Sequence, residues 1–214
     1  MIRNRTFKEY FLFIFGLFIS AVGVAVTKKG ELGVSPVSSI ANVLSIYSPS
    51  ITLGNGIIIW NCVLIAGQIL ILGKQFKMYQ LLQIPLSFLF GYFTDFGTWI
   101  IRFFDADAYA LRLFCVIAGT VLLGFGISIT VSINIIMNSG EAFVKAVSDR
   151  FAKEFGTVKI FFDISCVTIS IILSLIFFKG SIVGTREGTL IASVLTGVCV
   201  KFFMKYVPVT RLIK

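Results

Sequence analysis

Apolar residues in this chain come in long runs, and polar or flexible residues separate the runs. Six runs cover residues 7–27, 52–72, 78–101, 110–136, 157–178 and 188–207. As a helix, each run is long enough to cross roughly 30 Å of hydrocarbon. The apolar positions do not form a 3.6-residue stripe, so the predicted helices are apolar on most faces, as helices in lipid are.

Two connections between the runs are longer than a turn, and each predicts a short half-helix. The first half-helix covers residues 36–47, after the first predicted span. The second is more polar and covers residues 141–155, after the fourth span. The fold class predicted is therefore all-α: a polytopic transmembrane bundle of six spans, with a half-helix after spans 1 and 4.

The composition agrees with this pattern and removes several classes of function. The chain is 57% hydrophobic and only 14% charged, which is outside the range of ordinary soluble domains. It contains no His, so His-based metal sites and catalytic triads are excluded, and its four cysteines have no metal-ligand spacing. We expect no enzyme activity, catalytic residue, metal site or cofactor.

The net charge of +9 indicates membrane orientation rather than nucleic-acid binding, because the basic residues form short clusters between apolar runs. If the N-terminus is cytoplasmic, six of the 19 Lys and Arg face outward: Lys28, Lys29, Arg102, Arg112, Lys179 and Arg186. The other 13, which include Arg3, Arg5, Arg211 and Lys214, then face the cytoplasm. The positive-inside rule thus predicts that both termini are cytoplasmic.

The two halves of the chain resemble each other in order and spacing. Residues 23–27 align with residues 126–130 at an offset of 103, and Asn61 aligns with Asp163 at an offset of 102. These matches predict one membrane domain built from two three-helix repeats, residues 1–104 and 105–214. Because three crossings reverse the chain direction, the second copy is inverted, as in many transporters.

Candidate binding residues lie where the half-helices begin. Ser35 and Pro36 have the pattern of a helix start, with an N-cap hydroxyl before proline, and Ser139, Gly140 and Glu141 begin the second half-helix. If these ends reach the protein interior, their positive dipole ends can hold an anionic or carbonyl-bearing solute. Alternatively, both are surface caps of amphipathic helices at the membrane interface.

Further candidates lie in or beside the spans. Asp163 and its counterpart Asn61 are polar residues inside spans, where a carboxylate normally has a partner or a function, unless Asp163 reaches headgroup water. Arg186, Glu187 and Thr189 stand at the start of the sixth span. Arg186 offers a planar fork for carboxylate or phosphate, although an exposed capping loop is the alternative interpretation.

Three short stretches resemble the YczE/YitT-like family of bacterial integral membrane proteins. They are residues 33–36 (Gly-Val-Ser-Pro), 139–141 (Ser-Gly-Glu) and 186–189 (Arg-Glu-Gly-Thr). The resemblance covers nearly the whole chain and implies a multi-pass protein of the bacterial cytoplasmic membrane. It implies no mechanism, because that family has no assigned biochemical activity.

Two functions remain open from the sequence. The first is a transporter or facilitator of a small, anionic or zwitterionic solute, with its site between two inverted repeats. The second is a non-transporting substrate-binding or regulatory membrane protein. The expected partners are the lipid bilayer and an unknown small solute, with no nucleic acid. A homodimer or a partner membrane subunit stays open.

Overall fold

The computed structural model describes residues 6–133, 135–153 and 155–206, which form a bundle of α-helices. In chain order the helices are α1 Phe7–Lys29, α2 Pro36–Tyr47, α3 Leu53–Leu72, α4 Gln83–Ile100, α5 Tyr109–Ile133, α6 Ser139–Phe151, α7 Phe155–Phe177 and α8 Glu187–Tyr206. Short 3-10 turns are Gly73–Gln75, Met78–Leu82 and Ile101–Phe103. Arg3, Arg5, Arg211 and Lys214 of the basic set lie outside the described residues.

The all-α prediction and the six predicted spans are confirmed. Among the described residues, six helical segments are long and apolar enough to cross a membrane: Phe7–Lys29, Leu53–Gln75, Met78–Phe103, Tyr109–Ile133, Thr157–Phe177 and Glu187–Tyr206. The chain is thus a polytopic membrane protein. The boundary predicted between the halves falls in the connection between α4 and α5. The side of the membrane that each terminus occupies stays a prediction.

The predicted bounds of the second half-helix were wrong at both ends. The helix α6 begins at Ser139, because the Asn138 side chain accepts a hydrogen bond from the Ser139 N–H at 3.0 Å. It ends at Phe151, because Ala152 takes the left-handed conformation with φ of 50°. A left-handed residue commonly ends a helix.

Helices α1 and α5 form the central pair of the bundle, and glycines bring their backbones close together. A Cβ atom added at Gly23 would lie 2.7 Å from the Gly119 carbonyl oxygen, and one added at Gly16 would lie 3.1 Å from that of Gly126. Position 16 thus faces 126 while position 23 faces 119, so the two helices run antiparallel. Close approach of this kind is typical of small residues in membrane helices.

The two half-helices are held between the same two long helices. Both α2 and α6 pack against α3 and α7. Their first turns meet, because a Cβ atom added at Gly140 in α6 would lie 3.4 Å from Val37 Cγ1 in α2. The half-helices therefore begin inside the bundle.

Candidate functional site

A cavity of about 1080 Å³, called here the first cavity, lies in the bundle, and all eight helices contribute to its lining. Most of its wall is apolar, with residues such as Leu17, Ile57, Phe90 and Leu123. Its polar groups include those at the first turns of α2 and α6, and others come from the long helices. A cavity with a mostly apolar wall and a few converging polar groups is the usual form of a small-molecule site.

The structure brings six of the ten predicted site residues to this cavity. They are Ser35, Pro36, Asn61, Ser139, Glu141 and Asp163. They come from α2, α3, α6 and α7 together with the residue that precedes α2. Residues from both halves of the chain therefore face one space, although no ligand tests their role.

The start of α6 is held by a buried polar network. Gln68 of α3 and Gln83 of α4 exchange two amide hydrogen bonds of 3.1 Å, and Gln68 Nε2 also donates to the Ser139 carbonyl oxygen at 3.3 Å. The hydroxyls of Ser87 and Ser139 lie 3.2 Å apart. All four residues are buried, so this network fixes where α6 begins.

The start of α2 is built differently from the sequence prediction. Ser35 is the N-cap and Pro36 is the first helical residue, as predicted, but the Ser35 side chain accepts no capping hydrogen bond. Its hydroxyl instead donates to Ser38 Oγ at 3.0 Å. The positive end of α2 thus faces the cavity with its N-cap hydroxyl turned toward the helix itself.

Asp163 has an ion-pair partner one helical turn away. Lys159 Nζ lies 2.5 Å from Asp163 Oδ1, and the two side chains retain 29% and 21% of their exposure. Both residues line the first cavity. A carboxylate inside a membrane span is expected to be paired in this way, and a half-buried pair keeps both charges available to a solute.

Glu141 lies at the third position of α6 and also lines the first cavity. Its Oε2 atom is shielded from solvent and has no hydrogen-bond partner among the described residues. Burial raises the pKa of the Glu141 carboxyl above its ordinary value, and the neighbouring Lys159 opposes that rise. The carboxyl can therefore accept a hydrogen bond from a bound ligand or hold a proton.

Asn61 is buried in α3 and lines the same cavity. The neighbouring residue Trp60 also lines the cavity, and its indole Nε1 is buried without a hydrogen-bond partner in the described part of the chain. An indole N–H without a partner is a donor that a ligand can use. Sequence analysis missed Trp60 because a lone Trp in an apolar run usually packs in the core.

The other four predicted site residues do not line the first cavity. Gly140 lies in the contact between α2 and α6, and Arg186 lines a different cavity at another end of the bundle. Glu187 lies 3.6 Å from Arg186 Nε. Thr189 is buried against Gly33, where an added Cβ would lie only 2.3 Å from Thr189 Oγ1. Their part in solute binding stays a prediction.

Gln68 is a second residue that sequence analysis overlooked, and it supports the start of α6 rather than lining the first cavity. It stands in the apolar run of α3 and is 0% exposed, yet its amide contacts both α4 and α6. A single polar residue deep in a predicted span was a usable signal, because such residues are costly unless they have partners. Its partners could not be identified from spacing alone.

Comparisons with known proteins give a family but no function. A family model described as a family of unknown function, DUF6198, matches residues 7–205, which is nearly the whole chain. No curated protein and no solved structure matches the chain. The matching family does not carry the YczE/YitT-like name, so that resemblance stays a prediction.

Proposed function

This chain belongs to the DUF6198 family of unknown function, and we propose that it transports a small anionic or zwitterionic solute, as a transporter or facilitator, across the membrane. The solute binds in the first cavity, between two inverted repeats. The observation that carries the proposal is the meeting of two half-helix starts, at Val37 and Gly140, beside one cavity in a membrane-spanning bundle. Sites of this kind occur in secondary transporters.

The glycine contacts between α1 and α5 support the inverted repeat. An offset of 103 relates Gly16 to Gly119 and Gly23 to Gly126. Replacing each residue of the contact between Gly16 and Gly126 by its counterpart gives a contact between Gly119 and Gly23. Both contacts occur in the structure. A twofold axis between two antiparallel copies produces this exchange, because residue i then contacts j and j contacts i in the other copy.

Two buried polar pairs support it independently. Gln68 and Gln83 are bonded through their amides, and Ser170 and Thr185 are bonded through their hydroxyls at 2.5 Å. Each member of the second pair stands 102 residues after its counterpart in the first. The offset is the one that aligns Asn61 with Asp163, so the two halves share buried contacts as well as sequence spacing.

The charge of the cavity lining supports an anionic or zwitterionic solute. Four lysines line the cavity: Lys145, Lys159, Lys201 and Lys205. Among the described residues, only two carboxylates line the same cavity, those of Glu141 and Asp163. The positive dipole ends of α2 and α6 add to this excess. An anionic group is therefore attracted, and the two carboxylates can hold the ammonium group of a zwitterion.

A ligand screen followed by transport measurement tests the proposal. The purified protein is screened for small carboxylates, phosphates and amino acids that raise its unfolding temperature, and hits are tested for uptake in proteoliposomes. We expect Asn61→Ala and Glu141→Gln to abolish the stabilisation by a hit without unfolding the protein. Asn55→Ala in α3 and Asp107→Asn before α5 are matched controls, because both native side chains are exposed and outside the cavity.

The outcomes separate the two functions left open by the sequence. Uptake by the purified chain alone supports transport. Binding that is lost in both cavity variants, without any flux, supports a substrate-binding or regulatory protein instead. If both cavity variants respond to the hit as the controls do, the first cavity is not the binding site.

A further inference from the structure

A second cavity, of about 720 Å³, lies at the opposite end of the bundle from the lysines of α8. It is bounded by the end of α1, the residues after α4 and the residues before α8. In the described part of the chain, four cationic side chains line it, against the one carboxylate of Glu31: Lys28, Lys29, Arg102 and Arg186. Its lining therefore carries a positive charge excess.

The charges of this second cavity are only partly neutralised by the protein. Lys29 pairs with Asp105 at 3.2 Å, and Arg186 Nε lies 3.6 Å from Glu187. The Glu31 carboxylate lies 3.2 Å from Arg112, which is not a lining residue. Lys28 Nζ donates to Ser45 Oγ at 3.0 Å, and no carboxylate of the described chain lies within ion-pair distance of it. A half-buried, unpaired ammonium favours an anion beside it.

A buried acceptor stands in the same lining. Asn42 is 4% exposed, and its Nδ2 donates to the Gly184 carbonyl oxygen at 2.8 Å. Its Oδ1 is buried without a partner among the described residues. An unpaired acceptor is costly, and a hydroxyl or ammonium group of a bound solute would satisfy it. The second cavity thus offers the groups that an anionic or zwitterionic solute needs.

The linings of the two cavities adjoin along the chain at two places, and the protein between them is called here the layer. On α1, Val24 lines the first cavity and Ala25 lines the second. In the loop before α2, Ser35 lines the first cavity and Gly33 the second, and Val34 between them is 0% exposed. On α1 the two lining residues are thus consecutive, and in the loop the buried residue Val34 stands between them.

The loop that carries Val34 is seated tightly. Gly33 has a φ of 109°, a conformation that favours glycine, and it lies against Thr189 at the start of α8. The Gly188 N–H also donates to the Leu32 carbonyl oxygen at 2.8 Å. These contacts hold Val34 in the layer between the two cavities.

We propose that the second cavity is an anion-binding entrance to the same pathway, closed from the first cavity by Val34. The role of the second cavity as an entrance rests on the proposed transport function. The binding of an anion at Lys28 and Arg186 does not depend on transport, so the two can fail separately. The chemistry of the ligand is that of a carboxylate or phosphate group, which a free solute or a lipid headgroup can supply.

The charge of the second cavity is tested with thiol reagents of opposite sign. Ile46→Cys places a thiol in the lining, and Cys62→Ser removes the exposed native cysteine. We expect an anionic methanethiosulfonate to react roughly tenfold faster than a cationic one of similar size. The double variant Lys28→Gln/Arg186→Gln should bring that ratio close to one. Lys179→Gln removes an exposed charge outside the lining and should not change it.

The source of the anion is tested with the thiol that Ile46→Cys introduces. In nanodiscs of phosphatidylcholine, millimolar succinate or inorganic phosphate should slow the modification of this thiol. If phosphatidylglycerol in the nanodisc slows the modification and the soluble anions do not, the ligand is a lipid headgroup. That result would overturn the proposal that the second cavity is an entrance for a solute. A rate ratio near one in the parent protein, or one that Lys28→Gln/Arg186→Gln leaves unchanged, would overturn the anion site itself.

The layer is tested with Ser35→Cys in right-side-out and inside-out membrane vesicles. The thiol at position 35 faces the first cavity, so we expect it to react from one membrane face only. Adding Val34→Ala should allow reaction from both faces. Val144→Ala is the matched control, because Val144 is equally buried but lines neither cavity. Reaction from one face only with Val34→Ala present would show that Val34 is not the barrier.

Discussion

Val37, the second residue of α2, lies against Gly140, the second residue of α6, so the two half-helices meet through their first turns. The contact distance of 3.4 Å from an added Cβ is ordinary van der Waals contact. It leaves room for one methyl group and no more. The relationship brings two positive helix ends to the same cavity, which neither half of the chain could do alone.

The first prediction concerns this contact. Gly140→Ala should fold with unchanged or slightly higher stability, because the added methyl fits and Ala favours helix by up to ~1 kcal/mol over Gly. Gly140→Leu should push α2 and α6 apart and lower the unfolding free energy by about 1–3 kcal/mol. Thermal unfolding in detergent measures both. Equal stability of the two variants would contradict the contact.

The second prediction concerns the packing of α1 on α5. An added Cβ at Gly23 would lie 2.5 Å from the backbone N of Leu123, so Gly23→Ala should destabilise the protein by about 1–3 kcal/mol. Gly197→Ala is the matched control, because a Cβ there meets nothing within 4 Å. The control should be neutral or stabilising. The prediction fails if the two variants unfold at the same temperature.

The third prediction concerns the Lys159–Asp163 pair. Removing one member leaves a half-buried charge unpaired. The losses of unfolding free energy in Lys159→Gln and in Asp163→Asn should therefore sum to more than the loss in the double variant. A double-mutant cycle should give a coupling energy of roughly 0.5–3 kcal/mol. The exposed pair Lys145–Asp149, also one turn apart at 3.0 Å, should couple by no more than ~0.5 kcal/mol. Similar coupling in both pairs would argue against burial as the cause.

The fourth prediction is a pH dependence that Glu141 produces. Its folded-state pKa is raised by burial above the ordinary 4.5, so between those two values the folded chain binds more protons than the unfolded chain. Stability from this group is therefore fully present below pH 4.5 and is lost as pH rises through the folded-state pKa. Comparing unfolding temperatures of the parent protein and Glu141→Gln across pH isolates this contribution. An identical pH profile in Glu141→Gln would contradict the prediction.

The apolar runs and the half-helix bounds show how much of the overall fold could be predicted from the chain. Long apolar runs must become helices in lipid, because the bilayer offers no partner for free backbone groups. The bounds of α2 were predicted correctly since Pro36 fixes the first helical residue. Those of α6 were not, because Asn138 and the left-handed Ala152 set its ends.

The grouping of the site residues was predictable only in part. Chain spacing predicted Ser35 and Ser139 as equivalent helix starts, and both line the first cavity. Arg186 was assigned to the same site but lines the second cavity. Its distance from the half-helices depends on how α8 packs, and no pattern along the chain carries that information.

Sequence by itself determined the membrane class, the six spans and the bounds of α2, because solvation by lipid acts on each segment separately and Pro36 fixes a helix start. Tertiary structure alone decided that Gln68 pairs with Gln83 and that Val34 separates two cavities. The physical reason is that apolar burial in lipid is non-directional, whereas hydrogen bonds and close packing depend on which surfaces meet.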